Sequence, residues 1–101
     1  DDTYLQFQDI LLNKKEETLA YKNIKYQLSK YECEILSYLI KSKSHTLPIW
    51  LVLERVWQNR VDVNHNTVSL YVSYLNRKLK ALQSCVSIQI NEENMELCVN
   101  I

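Results

Sequence analysis

The spacing of apolar residues changes twice along this chain, and this change limits the fold more than any other feature of the sequence. Over residues 4–28, apolar and polar side chains alternate, as they do in strands that bury one face. Over residues 35–82, apolar residues recur every three or four positions, which is the period of a helix. Alternation returns over residues 86–101. The sequence therefore predicts an α+β chain with a sheet, a helical middle and a final hairpin.

The first 28 residues predict a small antiparallel sheet. Its strands fall at residues 4–8, 10–12, 18–22 and 24–28. The polar run at residues 13–17 is predicted to be a turn between the second and third strands.

Helix start signals follow the predicted sheet. Ser29 can act as an N-cap, and Glu32, three residues later, completes a capping box, so a first helix is predicted over residues 30–41. Residues 42–46 predict a loop, and Pro48 suits the first turn of a second helix. The buried side of this second helix is predicted to consist of Ile49, Leu51, Val52, Val56 and Trp57.

A third helix without acidic residues is predicted over residues 65–82. Its apolar residues follow steps of four, three, four and three, which aligns them in one narrow stripe. They are Val68, Val72, Leu75, Leu79 and Leu82. Alternation on both sides of the polar tip at 91–94 predicts a β-hairpin.

Three helices closed by a hairpin describe a winged helix-turn-helix, whose third helix normally reads a DNA groove. We expect one domain over residues 1–101. It comprises an N-terminal antiparallel β-sheet (1–28), a core of three helices (29–83) and a C-terminal β-hairpin wing (86–101).

Charge is balanced over the whole chain but not along it. Twelve basic residues face twelve acidic ones, so the formal net charge is zero and gives no sign of a nucleic-acid partner. Residues 35–91, however, hold seven basic and two acidic residues, a surplus of five. Such a distribution predicts a local positive surface on a neutral protein, the alternative being ordinary solvated charge.

The residue inventory argues against an enzyme, a metal site or a bound cofactor. The chain has two histidines, His45 and His65, and neither has cysteine or carboxylate partners at metal-ligand spacing. Without any glycine it offers no phosphate-cradling loop. Three cysteines without a CxxC spacing indicate core thiols in a reducing compartment. No apolar run approaches the roughly 20 residues that span a bilayer.

Three segments resemble the OmpR/PhoB-type effector domains of bacterial transcription regulators. Leu28-Ser29-Lys30-Tyr31-Glu32, with Ile35, Leu36 and Leu39, is similar to their first helix. Residues 53–57 (LERVW) resemble the end of their second helix, and residues 66–79 (NTVSLYVSYLNRKL) resemble their recognition helix. The resemblance implies a cytoplasmic domain that binds double-stranded DNA through the major groove.

Two departures from the family pattern bear on the subclass. Ser73, Tyr74 and Asn76 stand where arginine is common, and the wing tip at residues 91–94 (NEEN) replaces a glycine-containing basic tip. Glutamates at the tip would repel phosphate, which speaks against a minor-groove contact. This divergence looks more like the ToxR-like regulators, anchored in the inner membrane by segments outside this chain, than like two-component response regulators.

The face of the third helix opposite its apolar stripe is the predicted DNA-binding surface. We expect Leu70 to touch a thymine methyl, and Arg77 and Lys80 to bind phosphates. Arg60, before this helix, is expected to bind phosphate or an RNA polymerase subunit, and a solvated face is the plain alternative. The predicted DNA-binding residues are Asn66, Thr67, Ser69, Leu70, Ser73, Tyr74, Arg77, Lys80 and Arg60.

Two functions remain open from the sequence. The first is sequence-specific DNA binding, as a homodimer or tandem pair on repeated half-sites. The second is a degenerate winged helix that serves as a protein-interaction or dimerisation module, pairing with itself or with another regulator. The fold and the acid-free stretch over residues 63–91 favour the first function, which is the one we expect. Zero net charge, the missing arginines and the acidic wing tip are the reasons to keep the second function as the alternative.

Overall fold

Four short strands open the chain, as predicted. The computed structural model describes residues 3–100, so the first two residues of the predicted sheet region and Ile101, at the end of the predicted hairpin, lie outside the described residues. The strands are β1 (Tyr4–Phe7), β2 (Ile10–Asn13), β3 (Thr18–Tyr21) and β4 (Ile24–Gln27). They form an antiparallel sheet in the order β1-β2-β3-β4.

Three helices and a second sheet complete the winged helix. These elements are α1 (Lys30–Lys41), β5 (Thr46–Pro48), α2 (Ile49–Trp57), α3 (His65–Ala81), β6 (Val86–Ile90) and β7 (Asn94–Val99). The β6–β7 hairpin is the wing, and β5 pairs with β7 to give the order β5-β7-β6. Helices α1 and α3 agree with the predicted ones to within a residue. No helix within residues 3–100 is long and apolar enough to cross a membrane.

Strand β5 corrects the predicted loop and the predicted start of the second helix. Thr46, placed in the loop, lies opposite Glu96 of β7, and Leu47 lies opposite Met95 and is buried. Pro48 is not in the first helical turn but is the extended N-cap residue before it. A proline without an N–H fits an edge strand, and three residues are too few to show a period.

One core lies between the two sheets and the three helices. Trp57 is 2% exposed, and the apolar stripe of α3 is buried as predicted. In α2, Ile49, Val52 and Val56 are buried, whereas Leu51 is only half-buried.

The buried carboxylate of Glu32 links the first sheet to α1 and α3. It accepts a hydrogen bond from the backbone N–H of Ser29, which completes the predicted capping box. Its oxygens also accept bonds of 2.9 and 3.0 Å from Nζ of Lys78 on α3. Lys78 donates in addition to the carbonyl of Gln27 at the end of β4. The contact therefore sets how α3 lies against α1.

Asp9, in the β1–β2 turn, joins the first sheet to the segment between α3 and the wing. Its carboxylate accepts bonds from the Ser84 hydroxyl, at 2.6 Å, and from the Cys85 amide, at 2.9 Å. Burial alone would raise the pKa of Asp9, but these hydrogen bonds outweigh it and lower the pKa below its ordinary value of 3.8.

The three cysteines are all free thiols. Burial, reinforced by Glu17 and Glu34, raises the pKa of Cys33 to about 11. Partial burial also raises the pKa values of Cys85 and Cys98. Raised pKa values keep these groups as thiols near neutral pH, which is the unreactive form.

Among residues 3–100 of this glycine-free chain, seven residues adopt the left-handed backbone conformation. They lie in turns and at helix ends, with φ between 51° and 63°. They are Gln8, Glu17, Lys22, His45, Gln58, Asn59 and Gln83. The left-handed region costs a residue with a Cβ atom roughly 1–2 kcal/mol.

We expect Glu32→Gln to lower the free energy of unfolding by about 2 kcal/mol, because it weakens charge-assisted bonds and leaves Lys78 without its counter-charge. Glu16→Gln is the matched control, since Glu16 forms an exposed 3.9 Å pair with Lys25. That pair should contribute less than about 0.5 kcal/mol. Urea denaturation measures both values, and equal small losses would contradict the role given to Glu32.

We expect Asp9→Asn to destabilise the protein by about 1 kcal/mol near neutral pH, because a charged acceptor of two hydrogen bonds is lost. The folded pKa of Asp9 lies below the unfolded one, so its contribution is present above the unfolded pKa and disappears as pH falls through the folded pKa. The difference between wild type and variant should therefore shrink in acid. Urea denaturation at neutral pH and at about pH 3 tests this, and a constant difference would count against it.

Candidate nucleic-acid interface

The start of α3 is fixed by a reciprocal cap. The side chain of Asn64 accepts hydrogen bonds from the amides of Asn66 and Thr67, and the Thr67 hydroxyl oxygen accepts one from the amide of Asn64. Thr67, a predicted DNA-binding residue, thus already uses its oxygen inside the protein. Its hydroxyl hydrogen is left to donate to a ligand.

The face of α3 opposite the buried stripe holds the other predicted residues of this helix. Leu70 is 48% exposed and lies near the centre of this outer face. Six predicted residues of the face are exposed, namely Asn66, Leu70, Ser73, Tyr74, Arg77 and Lys80. Ser69, at the edge of the face, is half-buried.

Both serines on this face are held within the helix. Ser73 donates to the carbonyl of Leu70 at 2.9 Å, and the Ser69 hydroxyl lies 3.4 Å from Nδ1 of His65. A serine oxygen has two lone pairs, so the Ser73 hydroxyl can still accept a bond from a base amino group.

Tyr74 packs against a cluster of aromatic rings formed by Tyr31, Trp57 and Tyr71. Tyr71 packs against Tyr31 and Trp57, with ring centroids 5.6 and 5.5 Å apart, and is half-buried. Tyr74 packs edge-on against Tyr71 at 5.7 Å and is 37% exposed. This contact limits the movement of the Tyr74 ring at the border of the outer face.

The positive charges near α3 fall into two groups. Lys78 is paired with Glu32, and Arg60 forms a bidentate pair with Asp62 at 3.1 and 2.7 Å. These hydrogen bonds and the adjacent charge raise the pKa of Arg60. Within residues 3–100, Arg77 and Lys80 make no ion pair. The surplus counted from the sequence is therefore reduced beside α3 to these two cations.

Hydrogen bonds join the wing to α3 at two places. The Asn76 amide donates to the carbonyl of Ile88 and accepts from its N–H, both at 2.8 Å. Nε2 of His65 lies 2.8 Å from the carbonyl of Asn91 at the wing tip. Sequence reasoning treated Asn76 only as a missing arginine, because its partner lies 12 positions away and leaves no local signal.

The wing tip itself is acidic and exposed. The side chain of Asn91 accepts bonds from the amides of Glu93 and Asn94, which shapes the turn. Glu92 and Glu93 are both exposed. Among the described residues, no group of three His, Cys, Asp or Glu could hold a metal ion.

Comparison with known proteins points to one family. Residues 23–91 match the family described as "Transcriptional regulatory protein, C terminal". The chain is 27% identical over 89 residues to response regulator ArlR of Staphylococcus epidermidis, covering 88% of this chain and 41% of that protein. It is 30% identical to ArlR of Staphylococcus aureus and 28% identical to transcriptional regulatory protein YxdJ of Bacillus subtilis, each over 71 residues. These matches cover 70% of this chain and 32% and 31% of the two relatives. The chain thus spans less than half the length of these relatives.

We expect Asn76→Ala to loosen the wing, because the amide and the carbonyl of Ile88 both lose their partner. Unfolding free energy should fall by about 1–3 kcal/mol, and the Ile88 amide should exchange its hydrogen faster. Ser73→Ala, which removes a bond within α3 only, is the control. Hydrogen exchange followed residue by residue tests this, and unchanged protection of Ile88 would contradict it.

Proposed function

The chain belongs to the OmpR/PhoB-type family of transcriptional regulatory protein C-terminal domains, and from this premise we propose that it binds double-stranded DNA with α3 in the major groove. The observation that carries this proposal is the outer face of α3. Short polar groups flank Leu70 in its first turns, Arg77 and Lys80 follow without an ion pair to any residue in 3–100, and the helix contains no acid. Such a face suits base edges at its start and phosphates at its end.

We assign the roles by position along the helix. Asn66, Leu70 and Ser73 face base edges, and Ser69 lies at the border of this group. Thr67 and Tyr74 lie on the other border, where hydroxyl groups can donate to phosphate oxygens. Arg77 and Lys80 bind phosphates near the end of α3.

We propose that Arg60 acts at the phosphate backbone beside α3. It is exposed, but its pairing with Asp62 means that phosphate must compete with a carboxylate. The acidic tip of the wing would repel phosphate, so the wing supports α3 instead of entering the minor groove.

We propose that two copies bind repeated half-sites, as a homodimer or a tandem pair. A single α3 contacts few base pairs and carries two unpaired cations, so one copy gains little affinity. The loop between α2 and α3 is a candidate contact for RNA polymerase, since Val61 there is fully exposed.

For the rest of the protein, we propose the response-regulator arrangement before the ToxR-like one. Two of the relatives above are response regulators by name. In the ToxR-like arrangement, a membrane helix outside this chain would anchor the protein in the inner membrane. In both arrangements this domain works in the cytoplasm.

A protein-interaction module is the second candidate function. It is favoured by the exposed acidic wing tip and by Trp50, an α2 residue that is 64% exposed. Its partner would be a second copy or another regulator.

We expect the wild-type protein to bind a labelled generic duplex at low salt, with affinity that falls steeply as salt is added. Arg77→Ala/Lys80→Ala should weaken binding and reduce the slope of log affinity against log salt by about 2, since each phosphate contact contributes about 0.9. Fluorescence anisotropy measures both quantities.

The matched control for this experiment is Lys41→Ala/Lys43→Ala, which removes two exposed cations at the end of α1. It should leave the slope nearly unchanged. Failure of the wild type to bind at roughly 10⁻⁴ to 10⁻⁶ M, where nonspecific binding is normally seen, would favour the protein-interaction module.

A further inference from the structure

Leu70 is an apolar side chain at the centre of an otherwise polar surface. It points away from Val68 and Val72, which are at most 2% exposed, and is itself 48% exposed. It lies one helical turn after Asn66 and one turn before Ser73 and Tyr74. In the major groove, the thymine C5-methyl is the apolar group that a base pair presents.

No cation accompanies Leu70 in the first three turns of α3. Residues 65–76 contain neither lysine nor arginine, and the first cation is Arg77. At about 1.5 Å per residue, Arg77 lies roughly 10 Å further along the helix than Leu70. Guanine is most often read by arginine or lysine, which reach its O6 and N7 atoms. The base-facing turns of α3 lack this means of selecting guanine.

Asn66 offers a different kind of contact. Its backbone amide is held by the Asn64 cap, so the position of the residue is preset. Its side chain is exposed and, among residues 3–100, makes no hydrogen bond. A free amide of this kind can pair with N6 and N7 of adenine through two hydrogen bonds. Asn66 lies four positions before Leu70, about 6 Å along the helix axis, which is close to two base-pair steps.

We infer that α3 selects A·T base pairs, with Leu70 in contact with a thymine methyl group and Asn66 bound to an adenine within about two steps. The inference rests on the proposed function, since it names the kind of DNA that the same surface recognises. Arg77 and Lys80 add affinity that is independent of sequence.

The test begins with a pool of duplexes that contain a randomised central segment. Duplexes retained by the wild-type protein are sequenced, and the most enriched one is synthesised twice, once with thymine and once with uracil throughout its central segment. Uracil lacks only the methyl group, so base pairing is kept. We expect an enriched site rich in A·T pairs, bound about fourfold more weakly for each contacted methyl that is lost.

Three substitutions test whether this loss depends on Leu70. Leu70→Ala should bind the thymine and uracil duplexes nearly equally, because the apolar partner of the methyl is gone. Ile24→Ala is the matched control, since Ile24 is also 48% exposed but lies on β4 of the first sheet. It should keep the full preference for thymine. Asn66→Ala should reduce affinity for both duplexes and also keep that preference.

The possible outcomes distinguish failure of the A·T assignment from failure of the proposed DNA-binding function. Binding to duplex DNA with an enriched site of G·C pairs would overturn the A·T assignment, and equal affinity for thymine and uracil would overturn the methyl contact of Leu70. Both outcomes would leave the proposed function standing. A preference for thymine that persists in Leu70→Ala would also overturn the role of Leu70. Absence of binding to every duplex would overturn both proposals.

Discussion

The contact between Glu32 and Lys78 is the constraint on which the geometry of this domain depends. The Glu32 side chain is 4% exposed, so its charge is stable only with the Lys78 ammonium and the Ser29 amide beside it. Through Lys78 and the Gln27 carbonyl, the same contact ends β4, begins α1 and fixes the rotation of α3. Because successive helix residues differ by about 100°, holding Lys78 inward turns Arg77 outward.

This arrangement explains how a neutral chain can present a surface suited to an acidic polymer. Two of its basic residues near α3, Arg60 and Lys78, are committed to carboxylates of the same chain. Arg77 and Lys80 stay available on the outer face. Few available cations would keep sequence-independent attraction small, so in the proposed complex base contacts would make up a larger share of the binding energy.

Local patterns in the sequence were sufficient for most of the fold. The Ser29–Glu32 box placed α1 at its observed bounds, and the apolar stripe placed α3 to within one residue. Strand β5 was missed because three residues show no period. The roles of Lys78 and Asn76 depend on partners 46 and 12 positions away, which no local pattern reveals. The DNA-binding residues stay predictions, since exposure on one face is compatible with binding but does not require it.

The left-handed turns of this glycine-free chain bear on its evolution. Each of the seven positions pays a conformational penalty that glycine would not incur, although glycine would add entropy to the unfolded chain. Glycine at a turn position such as Lys22 or Gln83 could therefore raise the free energy of unfolding without changing the core or the outer face of α3. Such a change to glycine would lie away from the proposed DNA-binding face of α3, so stability could change over evolution without altering that face.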